Sequence, residues 1–320
     1  MEQQQQISML MENMSFKGFL RVGFAERRTD SKGKEYLDLN LSDRSGEINC
    51  KMWSRSLPTV PHTGSVVKVE GTVQKYNGRM QLRIDHLTEA GPDDDVDLSI
   101  LIARAPETPE AMKAVIEQTI ESFESDPLKR IVREMIRLAG DRLDYYPAAM
   151  RMHHAEKSGL LHHTTDMLRT AEKIVECYPF LNRELLLAGV IVHDLAKTAE
   201  MDSDTEGNVT DYTRDGLLVG HLVRGVAMLD RAAENVQAGG EWLVLLEHMM
   251  ISHHGIPEYG SPKYPMFPEA EALHWIDMLD AKMNEMKSIH DRTPAGAFSE
   301  KIMSLDGRRM YHPFYKDNAE

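Results

Sequence analysis

Cysteine is scarce in this sequence. The 320 residues include only Cys50 and Cys177, and no CxxC pair occurs. A disulfide framework and a thiolate zinc site both need several closely spaced cysteines, so both classes are excluded. We expect two reduced, partly buried thiols, which is the usual state of unpaired cysteine.

Long hydrophobic runs are also absent. No segment approaches the roughly 20 consecutive apolar residues that a membrane-spanning helix needs. Residues 1–15 are rich in glutamine and have neither the basic nor the apolar region of a signal peptide. These absences predict a cytoplasmic protein.

Acidic residues outnumber basic residues in the chain as a whole, but not in every segment. The formal net charge is −14. Residues 16–90 carry 13 Lys and Arg against 9 Asp and Glu, a net of +4, which leaves −18 for the remainder. Because nucleic-acid affinity follows the local positive patch rather than the total charge, residues 16–90 could form a nucleic-acid-binding module.

The same residues show the short alternation that is typical of β-strands. Turns rich in Gly, Asn and Asp separate the segments, as hairpins prefer. Five short strands predict a small closed barrel, since closure removes exposed strand edges. The predicted strands are Gly18–Glu26, Tyr36–Ser42, Glu47–Trp53, Ser65–Tyr76 and Gln81–Thr88.

Beyond residue 106 the apolar spacing becomes helical. Thr108-Pro109-Glu110 and Asp126-Pro127 are helix starts. Amphipathic stretches follow at Leu160–Tyr178, Arg183–Thr198, Gly216–Ala238, Glu241–Ser252 and Pro268–Ile289. We therefore predict a multidomain β-plus-α chain with an N-terminal tail (1–15), a five-stranded barrel (16–90), a linker (91–106), an all-α domain (107–300) and a C-terminal tail (301–320).

Seven histidines and aspartates are spread through the helical part. They are His163, His193, Asp194, His221, His253, His254 and Asp280. Imidazole and carboxylate together suit a transition metal that promotes hydrolysis better than they suit calcium or a structural zinc finger. Any one of them alone is more often a hydrogen-bonded structural group, but the seven together predict a metal-dependent hydrolase.

The order of these residues resembles the HD-domain superfamily of metal-dependent phosphohydrolases. A closer similarity, to the YhaM-type 3′-to-5′ exoribonuclease family, is carried by the motifs Gly159-Leu160-Leu161, His163-Thr164, His193-Asp194-Leu195-Ala196-Lys197, Leu218-Val219-Gly220-His221, Ser252-His253-His254-Gly255 and Leu279-Asp280-Ala281-Lys282. In that family an OB-fold precedes the HD domain, so the resemblance covers nearly the whole chain and implies that the barrel is an OB-fold.

The resemblance also implies a set of metal ligands. One ion would be held by His163, His193, Asp194 and Asp280, and a second by His221, His253 and His254, with Asp194 bridging the two. Manganese is favoured by the resemblance, while cobalt, iron and zinc stay open because mixed sites accept several of these metals. His162 departs from the expected pattern, and we assign it to contacts behind the ligands or with substrate. His153 and His154 could line the same cleft or be structural.

The resemblance implies sequential hydrolysis of single-stranded RNA from the 3′ end to nucleoside 5′-monophosphates, and single-stranded DNA stays open as a further substrate. Two divalent ions can activate water and stabilise both oxygens of such a displacement. Asp194 and Lys197 are the predicted catalytic residues. Lys197 lies one helical turn beyond His193 and could contact a phosphate oxygen, or it could be a solvated lysine that complements the helix dipole.

We predict that the barrel binds single-stranded nucleic acid. OB-folds combine a positive groove with aromatic stacking. The candidate residues are Arg21, Arg27, Lys34, Tyr36, Trp53 and Arg79. For each aromatic residue alone, packing in the core is the alternative. The methionines from Met278 to Met286 could either fill the core or form the interface of a homo-oligomer.

Two other functions compete with the exonuclease. The first is an HD-domain phosphohydrolase or phosphodiesterase acting on a small nucleotide or cyclic dinucleotide, but a small substrate needs no strand-binding barrel. The Gly-Tyr-Pro signature of the cyclic-dinucleotide group is also missing, and Lys197-Thr198-Ala199-Glu200 stands in its place. The second is a non-catalytic single-strand-binding or metal-sensing protein, which would have no reason to keep all seven ligands.

Overall fold

The structure is a computed structural model that describes residues 4–54, 56–76, 78–150, 154–205, 207 and 209–314. The chain divides after Arg104 into two compact units. The first unit is a closed five-stranded barrel and the second is mainly helical. The predicted β-plus-α class is therefore confirmed.

All five predicted barrel strands are present, with ends that shift by up to three residues. They are β1 (Ser15–Thr29), β2 (Glu35–Asp43), β3 (Gly46–Met52), β4 (Val66–Tyr76) and β5 (Arg79–Glu89). The strand order is β1-β2-β3-β5-β4, with β3 and β5 parallel and the other printed pairs antiparallel. Alternate residues of β2, Leu37, Leu39 and Leu41, are fully buried in the barrel, as the period of two requires.

The described part of the predicted N-terminal tail packs on this barrel. The Gln4 side chain pairs with the backbone of Phe19, accepting from its N–H at 2.6 Å and donating to its carbonyl at 2.7 Å. Ile7 and Leu10 are buried in the barrel core. The segment is therefore part of the barrel, because it contributes apolar side chains to the core and hydrogen-bonds to backbone groups of β1.

The predicted linker contains a short helix, α1 (Leu98–Leu101). The Asp97 carboxylate caps it by accepting from the Ser99 N–H at 2.9 Å. Leu101 is buried, and the Arg44 N–H donates to the Ile100 carbonyl at 3.0 Å. Helix α1 is thus packed against the barrel rather than extended.

Nine further helices build the second unit. They are α2 (Pro109–Glu121), α3 (Asp126–Ala139), α4 (Gly159–Cys177), α5 (Arg183–Val192), α6 (Lys197–Glu200), α7 (Arg214–Leu218), α8 (Gly220–Asn235), α9 (Glu241–Ser252) and α10 (Pro268–Arg292) among the described residues, apart from short 3₁₀ turns. Their apolar faces form one core, in which all eight residues from Leu185 to Val192 are buried. The start of α2 is as predicted, since Thr108 Oγ1 accepts from the Ala111 N–H at 3.3 Å and Pro109 occupies the first turn.

Two predicted helices are interrupted, and both interruptions position candidate ligands. The helix predicted over Arg183–Thr198 stops at Val192, so that His193 and Asp194 lie in a turn before α6. The helix predicted over Gly216–Ala238 breaks at Gly220, whose φ of +75° is accessible to glycine. Strands β6 (Met201–Ser203) and β7 (Val209–Tyr212) form a small antiparallel hairpin that we did not predict.

The predicted C-terminal tail is folded back over residues 301–314. Short bridges pair Phe298 with Tyr311 and Ile302 with Arg308. Cys50 is buried in the barrel, while Cys177 at the end of α4 is exposed rather than partly buried. Among the described residues, no helix is long and apolar enough to cross a membrane.

Candidate metal centre

The predicted ligands come from five helices. His163 lies within α4, and His221 lies in the first turn of α8. His193 directly follows α5, and His253 directly follows α9. The ends of two apolar helices and the start of a third therefore meet α4 and α10 at one point.

Each of the five predicted histidine ligands makes a hydrogen bond through the same ring atom, Nδ1. Nδ1 of His193 lies 2.8 Å from the Val190 carbonyl, and Nδ1 of His253 lies 2.8 Å from the Met250 carbonyl, each three residues back. A carbonyl can only accept, so each Nδ1 carries the proton and each Nε2 keeps its lone pair. The remaining Nδ1 contacts are His254 to the Tyr259 carbonyl (2.9 Å), His221 to Glu200 (3.0 Å) and His163 to Asp280 (2.6 Å).

Three of these rings direct Nε2 at Asp194. Its Oδ1 lies 3.5 Å from His221 Nε2 and 3.7 Å from His253 Nε2, and its Oδ2 lies 3.3 Å from His193 Nε2. Within the described part of the chain, Asp194 Oδ1 and these three Nε2 atoms are buried without a hydrogen-bond partner. Four converging acceptors of this kind are costly unless a cation binds them, so the residues present fit a divalent metal.

Asp194 has one cationic partner in the chain itself. Lys197 Nζ lies 2.6 Å from Asp194 Oδ2. Burial alone would raise the pKa of Asp194, but its interactions with Lys197 and His193 outweigh burial and hold that pKa well below its usual range. The carboxylate is therefore ionised and available as a ligand.

Asp277, which the sequence analysis missed, occupies the position predicted for Asp280. Asp277 Oδ1 lies 3.3 Å from His163 Nε2, the ring atom that faces the centre. Asp280 Oδ2 instead contacts His163 Nδ1, on the opposite side of the ring. Asp280 thus contacts the outer nitrogen of His163, while Asp277 faces the centre, and the assignment of either carboxylate as a ligand is a proposal.

Three groups of ligand atoms, each within 4.8 Å of one another, make up the centre. They are His163, His193 and Asp277; His193, Asp194 and His253; and His221, His253 and His254. Burial lowers the pKa of His253 to about 3, so that ring is neutral and able to ligate. Burial also opposes protonation of His163, but Asp277 and Asp280 outweigh it and raise its pKa to about 9. A metal would replace that proton.

A further carboxylate that the sequence did not reveal is Glu200. It accepts from both the backbone N–H and Nδ1 of His221, each at 3.0 Å, and so fixes the ring at the Gly220 break. Carboxylates that hold the outer nitrogen of a ligating histidine are a common part of metal sites. Spacing alone gave no signal for Glu200, because the contact spans 21 residues and depends on the β6–β7 hairpin folding between them.

Three further histidines were singled out in the sequence, and two of them, His154 and His162, lie beside the centre. His154 Nε2 lies 2.8 Å from Asp280, and His162 Nε2 lies 3.1 Å from Asp166. Burial would lower the pKa of His162, but Asp166 and Glu156 outweigh it and raise it to about 9. His153 lies outside the described residues.

The predicted strand-binding residues of the barrel are not all in one place. Tyr36 and Trp53 stack with ring centroids 5.3 Å apart and planes at 24°, and Trp53 is 39% exposed. Arg21 is partly buried in β1, Arg27 contacts Glu35, Lys34 lies between β1 and β2, and Arg79 begins β5. The stacked pair, with Lys51 Nζ 5.2 Å from the Tyr36 centroid, is the aromatic platform on the β2–β3 side.

Two family models match the chain in these same regions. The OB-fold nucleic acid binding domain matches residues 22–90, which span the barrel strands. The HD domain matches residues 160–282, which include every candidate ligand of the centre.

Full-length relatives are similar along nearly the whole chain. The 3′-5′ exoribonuclease YhaM of Listeria innocua is 39% identical over 300 residues, covering 93% of this chain and 95% of that protein. The proteins of the same name from Bacillus subtilis strain 168 and a Geobacillus species are 38% and 40% identical, covering 93% of this chain and 94% and 91% of theirs.

The different positions of Asp277 and Asp280 lead to a prediction. Asp277→Asn should remove a ligand and abolish binding of one ion, whereas Asp280→Asn should weaken Mn²⁺ binding by about 10- to 100-fold, as expected for a group behind a ligand. Calorimetric titration with Mn²⁺ measures both. Asp291→Asn, at the exposed end of α10, is the matched control. A larger loss for Asp280→Asn than for Asp277→Asn would contradict the assignment.

Proposed function

The chain belongs to the family of YhaM 3′-5′ exoribonucleases, and on that premise we propose that it shortens single-stranded RNA from the 3′ end with the help of two divalent metal ions. It is thus a nuclease, a hydrolase of phosphodiester bonds. The observation that carries the metal proposal is the convergence of buried Nε2 atoms on Asp194.

Two ligand sets on either side of Asp194 support two ions. His163 and His193 lie towards Oδ2 and form one group with Asp277, while His221 and His253 lie towards Oδ1 and form another group with His254. Asp194 would contribute one oxygen to each ion. Manganese is the proposed metal, and cobalt, iron and zinc have the same ligand preferences.

When bound, such ions make a water molecule acidic and neutralise the charge of a phosphodiester. The chain's own residues would do the rest. The carbonyls and carboxylates behind the five imidazoles keep each Nε2 in place, which is the preorganisation that efficient catalysis requires. Lys197, whose Nζ lies 2.6 Å from Asp194 Oδ2, would donate to a phosphate oxygen.

The barrel would hold the strand upstream of the cleaved end. The Tyr36–Trp53 pair on the β2–β3 side is the surface that OB-folds use for oligonucleotides. Stacking on aromatic rings tolerates any base, which suits an enzyme that must move along RNA. Single-stranded DNA would also be bound, and the products would be nucleoside 5′-monophosphates. A phosphohydrolase for small nucleotides would have no use for this surface.

The first prediction concerns the activity. Purified protein with Mn²⁺ and a 5′-labelled single-stranded RNA should produce a ladder that shortens from the 3′ end, and Asp194→Ala should produce none. Electrophoresis of samples over time measures both. Release of the label as a mononucleotide at the first time points would indicate attack from the 5′ end and would contradict the proposal.

The second prediction concerns Lys197. Lys197→Met should keep the bound metal but lower kcat by about 10²- to 10³-fold, the usual loss when a donor to transition-state charge is removed. Elemental analysis and turnover on the same preparation measure the two effects. Lys287→Met, on the exposed face of α10, is the control. Full turnover in Lys197→Met would exclude the lysine from the reaction.

The third prediction concerns the barrel. In an Asp194→Ala background that leaves the RNA intact, Trp53→Ala should weaken oligonucleotide binding by about 1–3 kcal/mol, the usual value for one stacked base. Fluorescence anisotropy at fixed salt measures the Kd. Tyr178→Ala, an exposed aromatic on the helical unit, should leave it unchanged. Equal affinities for the Trp53 and Tyr178 variants would rule out the aromatic platform.

A further inference from the structure

A second cluster of metal-ligating side chains lies behind Asp280. His154 Nδ1 and His162 Nδ1 are 3.1 Å apart, and Glu156 Oε1 lies 2.6 Å from the latter and 3.5 Å from the former. The three side chains are 1%, 13% and 16% exposed, for His154, His162 and Glu156 respectively. The atoms form a triangle small enough for all three to contact one cation.

The neighbours of His154 fix which of its nitrogens carries the proton. Asn284 Oδ1 accepts from the His154 backbone N–H at 3.0 Å, so the other arm of that amide, Nδ2, donates to His154 Nδ1 at 3.3 Å. His154 Nε2 in turn lies 2.8 Å from the Asp280 carboxylate, which can only accept. His154 Nδ1 is therefore an acceptor, and it lies beside both Asn284 Nδ2 and His162 Nδ1.

His162 is held in the same way. Its Nε2 lies 3.1 Å from Asp166 Oδ2, so this nitrogen donates and Nδ1 is directed at Glu156 and His154. Both rings thus have a carboxylate on the outer nitrogen, the arrangement that orients histidines around metals. Two ring nitrogens and a carboxylate oxygen therefore face one another, and a positive charge among them, a proton or a metal ion, favours this arrangement.

The spacing matches a coordination site. For metal–nitrogen bonds of about 2.0–2.1 Å in a tetrahedral site, ligand atoms lie about 3.3–3.4 Å apart. Two of the three distances, 3.1 and 3.5 Å, are close to this value, and the third, 2.6 Å, needs only a small movement of the Glu156 side chain. Two imidazoles and one carboxylate are ligands that transition-metal dications accept.

The backbone is shaped to bring these groups together. His154 and Ser158 both have positive φ, 49° and 63°, although neither is glycine. A Cβ on Gly159 would lie 2.0 Å from the His154 carbonyl oxygen, so only glycine allows the turn to close on itself. Left-handed conformations of this kind cost free energy and concentrate at functional sites.

We propose that His154, Glu156 and His162 bind a divalent transition metal ion at a site separate from the two-ion centre. Asp280 connects the two sites, because its Oδ2 contacts both His154 Nε2 and His163 Nδ1. An ion at the additional site therefore fixes His154, Asp280 and, through them, the ligand His163. The proposal concerns metal binding and does not depend on the nuclease activity.

The competing arrangement is a proton. A doubly protonated His162 would donate from Nδ1 to Glu156 and satisfy the same three atoms without metal. Metal counting separates the two arrangements. The experiment uses four full-length proteins, namely wild type, Glu156→Gln, His162→Gln and Asp194→Ala. Each is loaded with Mn²⁺ or, in parallel, with Zn²⁺, and gel filtration removes the unbound metal. Mass spectrometry then gives the number of metal ions per chain. His86→Ala, an exposed histidine of the barrel, is the control.

We expect Glu156→Gln and His162→Gln each to lose about one ion per chain relative to wild type and His86→Ala. Asp194→Ala should lose ions of the centre but retain one that a second substitution, Glu156→Gln, removes. Equal counts in wild type and Glu156→Gln would overturn the proposal. Because Glu156→Gln is nearly isosteric, it decides the matter if His162→Gln does not fold. If Asp194→Ala bound as much metal as wild type, the two-ion centre would fail while the additional site could still stand.

Discussion

The centre depends on a single constraint, namely that every imidazole is held by Nδ1 and presents Nε2. Backbone carbonyls enforce this for His193, His253 and His254, and carboxylates enforce it for His163 and His221. With the outer nitrogens fixed, the Nε2 atoms of His193, His221 and His253 converge on Asp194. A buried group of acceptors of this kind is unstable without a cation, so affinity for metal is built into the hydrogen bonds behind the ligands.

The chain meets that constraint by ending helices rather than continuing them. Adjacent residues of a continuous helix point about 100° apart, so His193 and Asp194 could not both face one ion from within α5. The helix instead ends at Val192, and the His193 ring caps a carbonyl of its last turn. The same device follows α9, where His253 contacts the Met250 carbonyl. The apolar helices thus make the site rigid, and the positions at which they end set the directions of the histidine and aspartate side chains.

The fold could largely be predicted from the sequence because periodicity is a local property. All five barrel strands and the extent of α9 follow from it. The breaks at Val192 and Gly220 could not be predicted, since apolar spacing continues across both. The different positions of the Asp277 and Asp280 side chains could not be predicted from periodicity for another reason. They lie three residues apart on one helix, and only the contact with Nε2 or Nδ1 of His163 tells ligand from support. The histidines themselves were identifiable, because no apolar core needs so many.

The most direct test of this account is anomalous diffraction from crystals of the protein grown with Mn²⁺. The account predicts two peaks at the centre, on opposite sides of the Asp194 carboxylate, with His163, His193 and Asp277 around one and His221, His253 and His254 around the other, all histidines ligating through Nε2. A single peak at the centre, or a ligand set that includes Asp280 in place of Asp277, would contradict it.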